Sequence, residues 1–235
     1  MPTVEATTRP LAESDAALVA VGAFTAASGE RGDPPELATD AAAVAEAAGI
    51  DLVAELAAAG FDASAGTTLR VPTRGALPSP TLLVVGLGDR DEATLDTLRV
   101  AGAAAANAAE RVTGLAVGLT DVLEGVSVAS AVQALTEGLL LGSYRFSAYR
   151  TDAPPFELEA ASVHVAEAAA DEARSAVEVA VVTAQAAALA RDLVNTPPQD
   201  KRPPQLADRI VAEVGDLPIE VRVLDEEALA AGGYG

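Results

Sequence analysis

The sequence predicts an α/β fold: a mostly parallel sheet with helices on both faces, then one long linking helix, then the opening of a second α/β unit. Three observations carry this expectation. Short apolar runs rich in Val and Leu alternate with longer stretches of helical period, as in a sheet crossed repeatedly by helices. Half of the 235 residues are apolar while aromatics make up only 3%, so a sizeable core must be filled by small, closely packed side chains. The longest helical run, Ala168 to Pro198, ends at the double proline Pro197-Pro198. Proline lacks an amide hydrogen and biases its predecessor toward extended backbone, so this helix should stop near Asn195.

The elements follow in order. After a loose N-terminal tail, Ala16 to Phe24 reads as a first buried strand, and 28–36 (SGERGDPPE) as a loop. Val44, Ala48, Leu52 and Leu56 recur at four-residue steps and predict one amphipathic helix over Ala38 to Ala59, closed by Gly60. Thr67 to Val71 reads as a strand stopped by Pro72, and Thr81 to Gly88 as the clearest buried strand in the chain. A helix is expected over Asp91 to Ala109, with Leu95, Leu98 and Ala105 inward and Asp91 and Glu92 complementing the helix dipole. Leu115 to Leu119 makes the next strand. Ser127 to Tyr144 makes a helix whose Gly138 and Gly142 mark close contacts, and Leu158 to Val165 makes the last strand of the unit.

In the linking helix Val177, Val181, Ala184 and Ala188 define an apolar face, with Val182, Leu189 and Leu193 beside it. Beyond Pro198 the pattern gives a helix over Gln205 to Val214, a strand over Ile219 to Leu224 and a short helix started by Asp225. Roughly forty residues of this kind are too few to bury a core alone. The domain division is therefore residues 1–167, a linking helix over 168–196, and the beginning of an incomplete domain over 197–235.

Asp and Glu outnumber Lys and Arg by 35 to 15, a net charge of −20, which disfavours nucleic acid as a partner, and no local basic patch is visible along the sequence. The chain has no cysteine, which excludes disulfides and thiolate metal sites and accords with a reducing compartment. No basic segment leads into an apolar core at the N-terminus, and no apolar run is long enough to span a bilayer; the expected location is the cytoplasm.

Candidate chemistry is sparse. Gly86-Leu87-Gly88 follows a strand and precedes a helix, where backbone amides could cradle a phosphate, but the third glycine of a dinucleotide fingerprint is absent and a tight turn explains both glycines. His164, the only histidine, alternates with Val163 and Val165 and is expected on the solvent side of an edge strand. Ser143 has no nucleophile-elbow pattern around it. Asp225, Glu226 and Glu227 read as helix-capping acids rather than a metal site. Lys201, the sole lysine, should be solvated in its Pro-rich loop, and Arg191 and Asp192 should form salt bridges at the domain junction. No catalytic, cofactor-binding or metal-binding residue is assigned.

Ala190-Arg191-Asp192-Leu193-Val194-Asn195-Thr196-Pro197-Pro198 resembles the domain-joining signature of the leucyl (cytosol) aminopeptidases, the dimetal M17-type peptidases. Leu141-Gly142-Ser143-Tyr144-Arg145-Phe146 upstream and Val223-Leu224-Asp225-Glu226-Glu227, with Leu229 and Gly232, downstream match the same family in the same order. The resemblance implies a macro-like N-terminal domain and a catalytic domain that this sequence only begins. It implies two divalent ions, zinc or manganese, held mainly by carboxylates and a lysine outside this segment. Peptide substrates with leucine preferred, a homo-hexamer and a cytoplasmic location are also implied. Within the segment no metal or activity is expected; its role is to support assembly. Two other readings remain: a standalone macro-like module binding a nucleotide-type ligand at the Gly86 turn, and a pure oligomerisation scaffold.

Overall fold

The computed structural model describes residues 1–27, 33–152, 155–215 and 217–234. Its contacts divide it into two units, Met1–Ala188 and Leu189–Gly235, so the division falls inside the long helix.

The first unit is built on a seven-stranded sheet in which β1 (Thr3–Thr7), β7 (Ala160–His164), β6 (Gly114–Val117), β2 (Leu18–Phe24), β5 (Thr81–Gly86) and β4 (Thr68–Pro72) lie in that order, with the short β3 (Glu36–Leu37) antiparallel to the end of β2. All neighbouring pairs along this order are parallel except β4, which runs antiparallel to β5 and closes one edge. Every residue of β2 is buried, as a central strand covered on both faces requires. Its alternation sorts the core. Val19, Val21 and Ala23 meet Val44, Leu52 and Leu56 on one face, while Leu18, Ala20 and Phe24 meet Leu98, Leu135 and Leu139 on the other.

Helices α1 (Thr39–Ala48) and α2 (Leu52–Ala58) cover the first face. The single helix expected over Ala38 to Ala59 is thus two. Gly49, at φ 63°, ends α1 in a left-handed turn, and Asp51 restarts the chain by accepting a hydrogen bond from the Ala54 amide at 3.0 Å. Because α2 buries the same face, the four-residue steps run across the break undisturbed. Helices α3 (Leu95–Ala108), α4 (Val128–Ser143) and α5 (Ala170–Asn195) cover the other face, where Ala173, Ala176 and Val177 of α5 join the core. Asp91 and Glu92 lie before α3 rather than in its first turn, where the acid is Asp96; a capping box between Thr94 and Thr97 sets the start.

The N-terminal segment is not a loose tail. Thr3 to Thr7 pairs in parallel with Ala160 to His164 and forms the edge beyond β7. Only Val4 and Ala6 pack on the core, so the apolar signal of this strand is weak. Of the loop expected over 28–36, residues 28–32 lie outside the described residues, and Glu36 already belongs to β3.

The contact between α3 and α4 is closer than side chains permit. A Cβ at Gly102 would fall on the Leu135 carbonyl oxygen, one at Gly138 on the Arg99 carbonyl oxygen, and one at Gly142 on the Ala103 backbone. Beside this seam Glu137, 5% exposed, accepts from Arg99 Nε at 2.8 Å and from Gln133 Nε2 at 2.9 Å. Two donors on one carboxylate offset the cost of burying it.

In the second unit α6 (Pro203–Val214) begins with prolines at its first two positions, where no amide hydrogen is needed, and α7 (Glu226–Ala231) is capped by Asp225, which accepts from the Ala228 amide at 2.8 Å. The strand expected over Ile219 to Leu224 is absent. Ile219, Val221 and Val223 are exposed, and among the described residues this unit has no other strand to pair with. Lys201 is only partly exposed: its Nζ donates to the Leu193 carbonyl oxygen in the last turn of α5, a cation placed where the helix dipole favours one. Asp192 pairs with Arg209 of α6 at 3.7 Å, an ion pair within this second unit.

Candidate functional site

The chain leaves β2, builds β4 and β5 on one side of it, then crosses to place β6 on the other side. Loops from neighbouring parallel strands diverge at such a point, and ligand sites of open α/β sheets form in the crevice at the carboxyl ends of the strands. A cleft of about 250 Å³ lies there. Asp40 in the first turn of α1, Gly118 to Asp121 after β6, His164 at the end of β7, and Arg9 after β1 all line it.

Asp40 is the unusual group. Its Oδ2 accepts from the Leu119 amide at 3.2 Å, and Leu119 is held at φ 72°, a left-handed conformation uncommon for a branched side chain. The close approach requires glycine at 118, where a Cβ would strike the Asp40 carboxyl. Although Asp40 as a residue is partly exposed, its Oδ1 is shielded from solvent and has no hydrogen-bond partner. Burial first, and the Asp121 charge second, push this carboxyl from 3.8 up to about 7.

His164 is buried, not solvent-facing, because β1 lies outside β7 and β7 is therefore not an edge. Its Nδ1 lies 2.7 Å from the Arg9 carbonyl oxygen and must donate to it, which leaves Nε2 to accept from the Ser162 hydroxyl at 3.0 Å. Both ring nitrogens are engaged within the fold, so neither is open to a substrate. Burial lowers its pKa below the ordinary 6.5. Folding therefore favours the neutral ring: the contribution to stability is complete above 6.5 and is lost as the pH falls through the folded-state value. In a proton NMR titration the His164 ring signals are expected to move with a midpoint below 6.5; a midpoint at or above that value would contradict this environment.

The Gly86 turn is fully occupied. Gly86 donates to Thr67 O at 2.9 Å, Leu87 to Ala23 O at 2.8 Å and Gly88 to Ala63 O at 3.0 Å. A Cβ at Gly86 would fall on the Ser64 carbonyl oxygen, so the glycines serve a close approach of two loops. No amide of the three remains to cradle a phosphate, and α3 begins only at Leu95, well beyond the turn. Ser143 is buried and donates to the Leu140 carbonyl oxygen at 2.7 Å, a local bond and not a nucleophile's setting. Among the described residues no three His, Asp or Glu side chains converge as a metal-binding group, and no helix is long and apolar enough to cross a membrane.

Sequence reasoning passed over Asp40 and also over a basic cluster. Arg111, Arg145 and Arg150, separated along the chain, line one cleft with Phe146 and Phe156. The only sequence signal for Asp40 was an acid just past the loop that follows a fully apolar strand; for the arginines there was none.

A model of the cytosol aminopeptidase family, N-terminal domain, matches residues 20–153. A probable cytosol aminopeptidase of Leifsonia xyli is 37% identical over 188 residues, which are 78% of this chain and 35% of that protein. One of Nocardia farcinica is 40% identical over 191 residues, 79% of this chain and 36% of that protein. This chain thus spans little more than a third of these relatives. Among solved structures, the bottromycin maturation enzyme BotP superposes with a TM-score of 0.70 at 29% identity, covering 92% of this chain and 41% of its own. A tomato leucine aminopeptidase superposes with a TM-score of 0.77 at 20% identity, covering 98% and 46%, a likeness of fold. With the α/β sheet, the long helix and these matches together, the chain belongs to the cytosol aminopeptidase family and carries that family's N-terminal domain.

Proposed function

We propose that this chain is the N-terminal domain and linking helix of an aminopeptidase that removes N-terminal amino acids, leucine preferred, from peptides in the cytoplasm. The match of residues 20–153 to an N-terminal domain, in a chain that spans little more than a third of its relatives, carries this reading. Two divalent ions, manganese or zinc, would supply hydrolysis by activating water; that the similar BotP has been solved in complex with Mn supports metal dependence. The match of residues 20–153 to an N-terminal domain, in a chain that spans little more than a third of its relatives, supports assigning the ions and the peptide site to the portion of those relatives that this chain does not span, with the present segment supporting assembly of a homo-hexamer. Occupation of every amide at the Gly86 turn argues against the nucleotide-binding alternative there.

The purified 235-residue chain, assayed with a leucyl anilide and manganese, is expected to show no turnover. Joining it at Pro197 to the corresponding catalytic portion of the Leifsonia xyli relative is expected to give turnover and a sixfold assembly. Hydrolysis by the chain alone would place an active site among its own residues and overturn the assignment.

A further inference from the structure

We propose that the cleft formed by the end of α3 and the segment before β7 binds a small oxyanion carried on a flat apolar body, such as an aromatic or heteroaromatic carboxylate or phosphate monoester. This site is separate from the peptidase function proposed above and does not depend on it.

The cleft encloses about 410 Å³, within the range of roughly 300–1,000 Å³ usual for small-molecule sites. Its lining brings Arg111, Arg145 and Arg150 together against a single carboxylate, Glu110. In a chain of net charge −20, three of the 15 basic residues thus share one concavity. Clustering like charges is unfavourable in itself, and a bound anion offsets that repulsion.

Arg145 is fixed in place. Its Nη1 donates to the carbonyl oxygens of Gly142 at 2.8 Å and Tyr144 at 2.9 Å, its Nη2 to Asn107 Oδ1 at 2.7 Å, and its guanidinium lies over the Phe156 ring at 4.6 Å. All of these partners are neutral, so they orient the charge without cancelling it. Arg111 and Arg150 meet carboxylates only loosely, Arg111 with Glu110 at 3.7 Å and Arg150 with Asp152 at 3.9 Å. Both distances exceed hydrogen-bonding range, so their forks are available to a ligand that can accept two donors at once. Phe146 and Phe156 supply the apolar wall for a flat body, and Phe146 is steadied by Tyr149 with ring centroids 5.8 Å apart.

The size and the charge balance select a small anion over a polyanion. A nucleic acid would meet the field of a −20 chain along its whole length, whereas a small ligand in the cleft responds chiefly to charges within about one Debye length, roughly 8 Å at physiological salt.

The test titrates the 235-residue chain with phenyl phosphate, benzoate, inorganic phosphate and, as a cationic control, benzamidine, following backbone NMR shifts and heat. Phenyl phosphate and benzoate are expected to saturate at millimolar or lower concentration and to shift residues 110–111, 145–150 and 155–156. Inorganic phosphate alone should bind at least about fivefold more weakly than phenyl phosphate, and benzamidine not at all. The exposed pair Arg111→Gln and Arg150→Gln should each weaken phenyl phosphate about three- to tenfold with an unchanged melting temperature, so the result does not depend on Arg145, whose replacement could disturb the loop. Comparing the phosphate and carboxylate probes tells which oxyanion the cleft prefers. Absence of shifts at about 10 mM phenyl phosphate, equal binding of benzamidine, or affinity unchanged in both arginine variants would overturn the proposal. So would binding of polyglutamate without binding of phenyl phosphate, which would make the cleft a protein-docking surface.

Discussion

Gly138→Ala is expected to destabilise the first unit by about 3 kcal/mol or more and to lower its melting temperature by roughly 6–12 °C, at the ~2–4 °C per kcal/mol typical of a domain this size. The direction is diagnostic. In an exposed helix alanine is better than glycine by about 1 kcal/mol, so a change judged by propensity alone would be stabilising. Here the new methyl would fall on the Arg99 carbonyl oxygen and close to Arg99 Cα at 2.9 Å, both backbone atoms of α3 that no rotamer change can move. The helices must separate, and the disturbance spreads to the Gly102 and Gly142 contacts on the same seam and to the half-buried Arg99–Glu137 pair. Gly49→Ala is the control: its added methyl meets nothing within 4 Å and its cost is limited to the left-handed turn at φ 63°, about 1 kcal/mol. Thermal and urea unfolding of the two variants decides the matter, and a Gly138→Ala protein within about 1 kcal/mol of the parent would mean that the seam is looser than described.

That glycine seam was legible in the sequence because Gly138 and Gly142 interrupt an otherwise strong helical pattern four residues apart. The central strands were legible for a similar reason: β2 and β5 are buried on both faces and read as unbroken apolar runs. What escaped had its cause elsewhere in the chain. β1 exists because β7 offers an edge, and only two of its residues face the core. The break between α1 and α2 was hidden because Gly49 and Asp51 turn the chain without changing which face is apolar. The strand expected over Ile219 to Leu224 has the right alternation, but alternation stabilises a strand only when a partner strand supplies its hydrogen bonds. His164 was placed on the solvent side because the strand that covers it lies more than 150 residues away in sequence. The family was legible in the Ala190 to Pro198 motif, whereas Asp40 and the arginine cleft arise only when distant loops meet.

Asp40→Asn is expected to stabilise the protein at pH 8 and to leave it nearly unchanged at pH 4. In the folded chain burial and the neighbouring Asp121 raise the Asp40 carboxyl to about 7, against 3.8 when it is free in solution. Below 3.8 both states are protonated and the group contributes no pH dependence. Between 3.8 and about 7 the unfolded chain releases the proton while the folded chain keeps it, so the folded state binds more protons and stability falls as pH rises. Above about 7 the full penalty is present; at about 1.4 kcal/mol per pH unit its upper bound is about 4 kcal/mol, and partial solvent access to the residue brings the expected gain to about 1–3 kcal/mol. Asparagine keeps an oxygen to accept from the Leu119 amide and places an uncharged amide where Oδ1 has no partner. The chain's net charge of −20 also weakens the folded state as pH rises, so the informative quantity is the difference between parent and variant, which removes that shared background. Urea midpoints measured from pH 4 to pH 8 should show the two curves parting progressively between about 4 and 7, with the variant above; curves that stay parallel throughout would mean that Asp40 is solvated and ordinary in the folded chain.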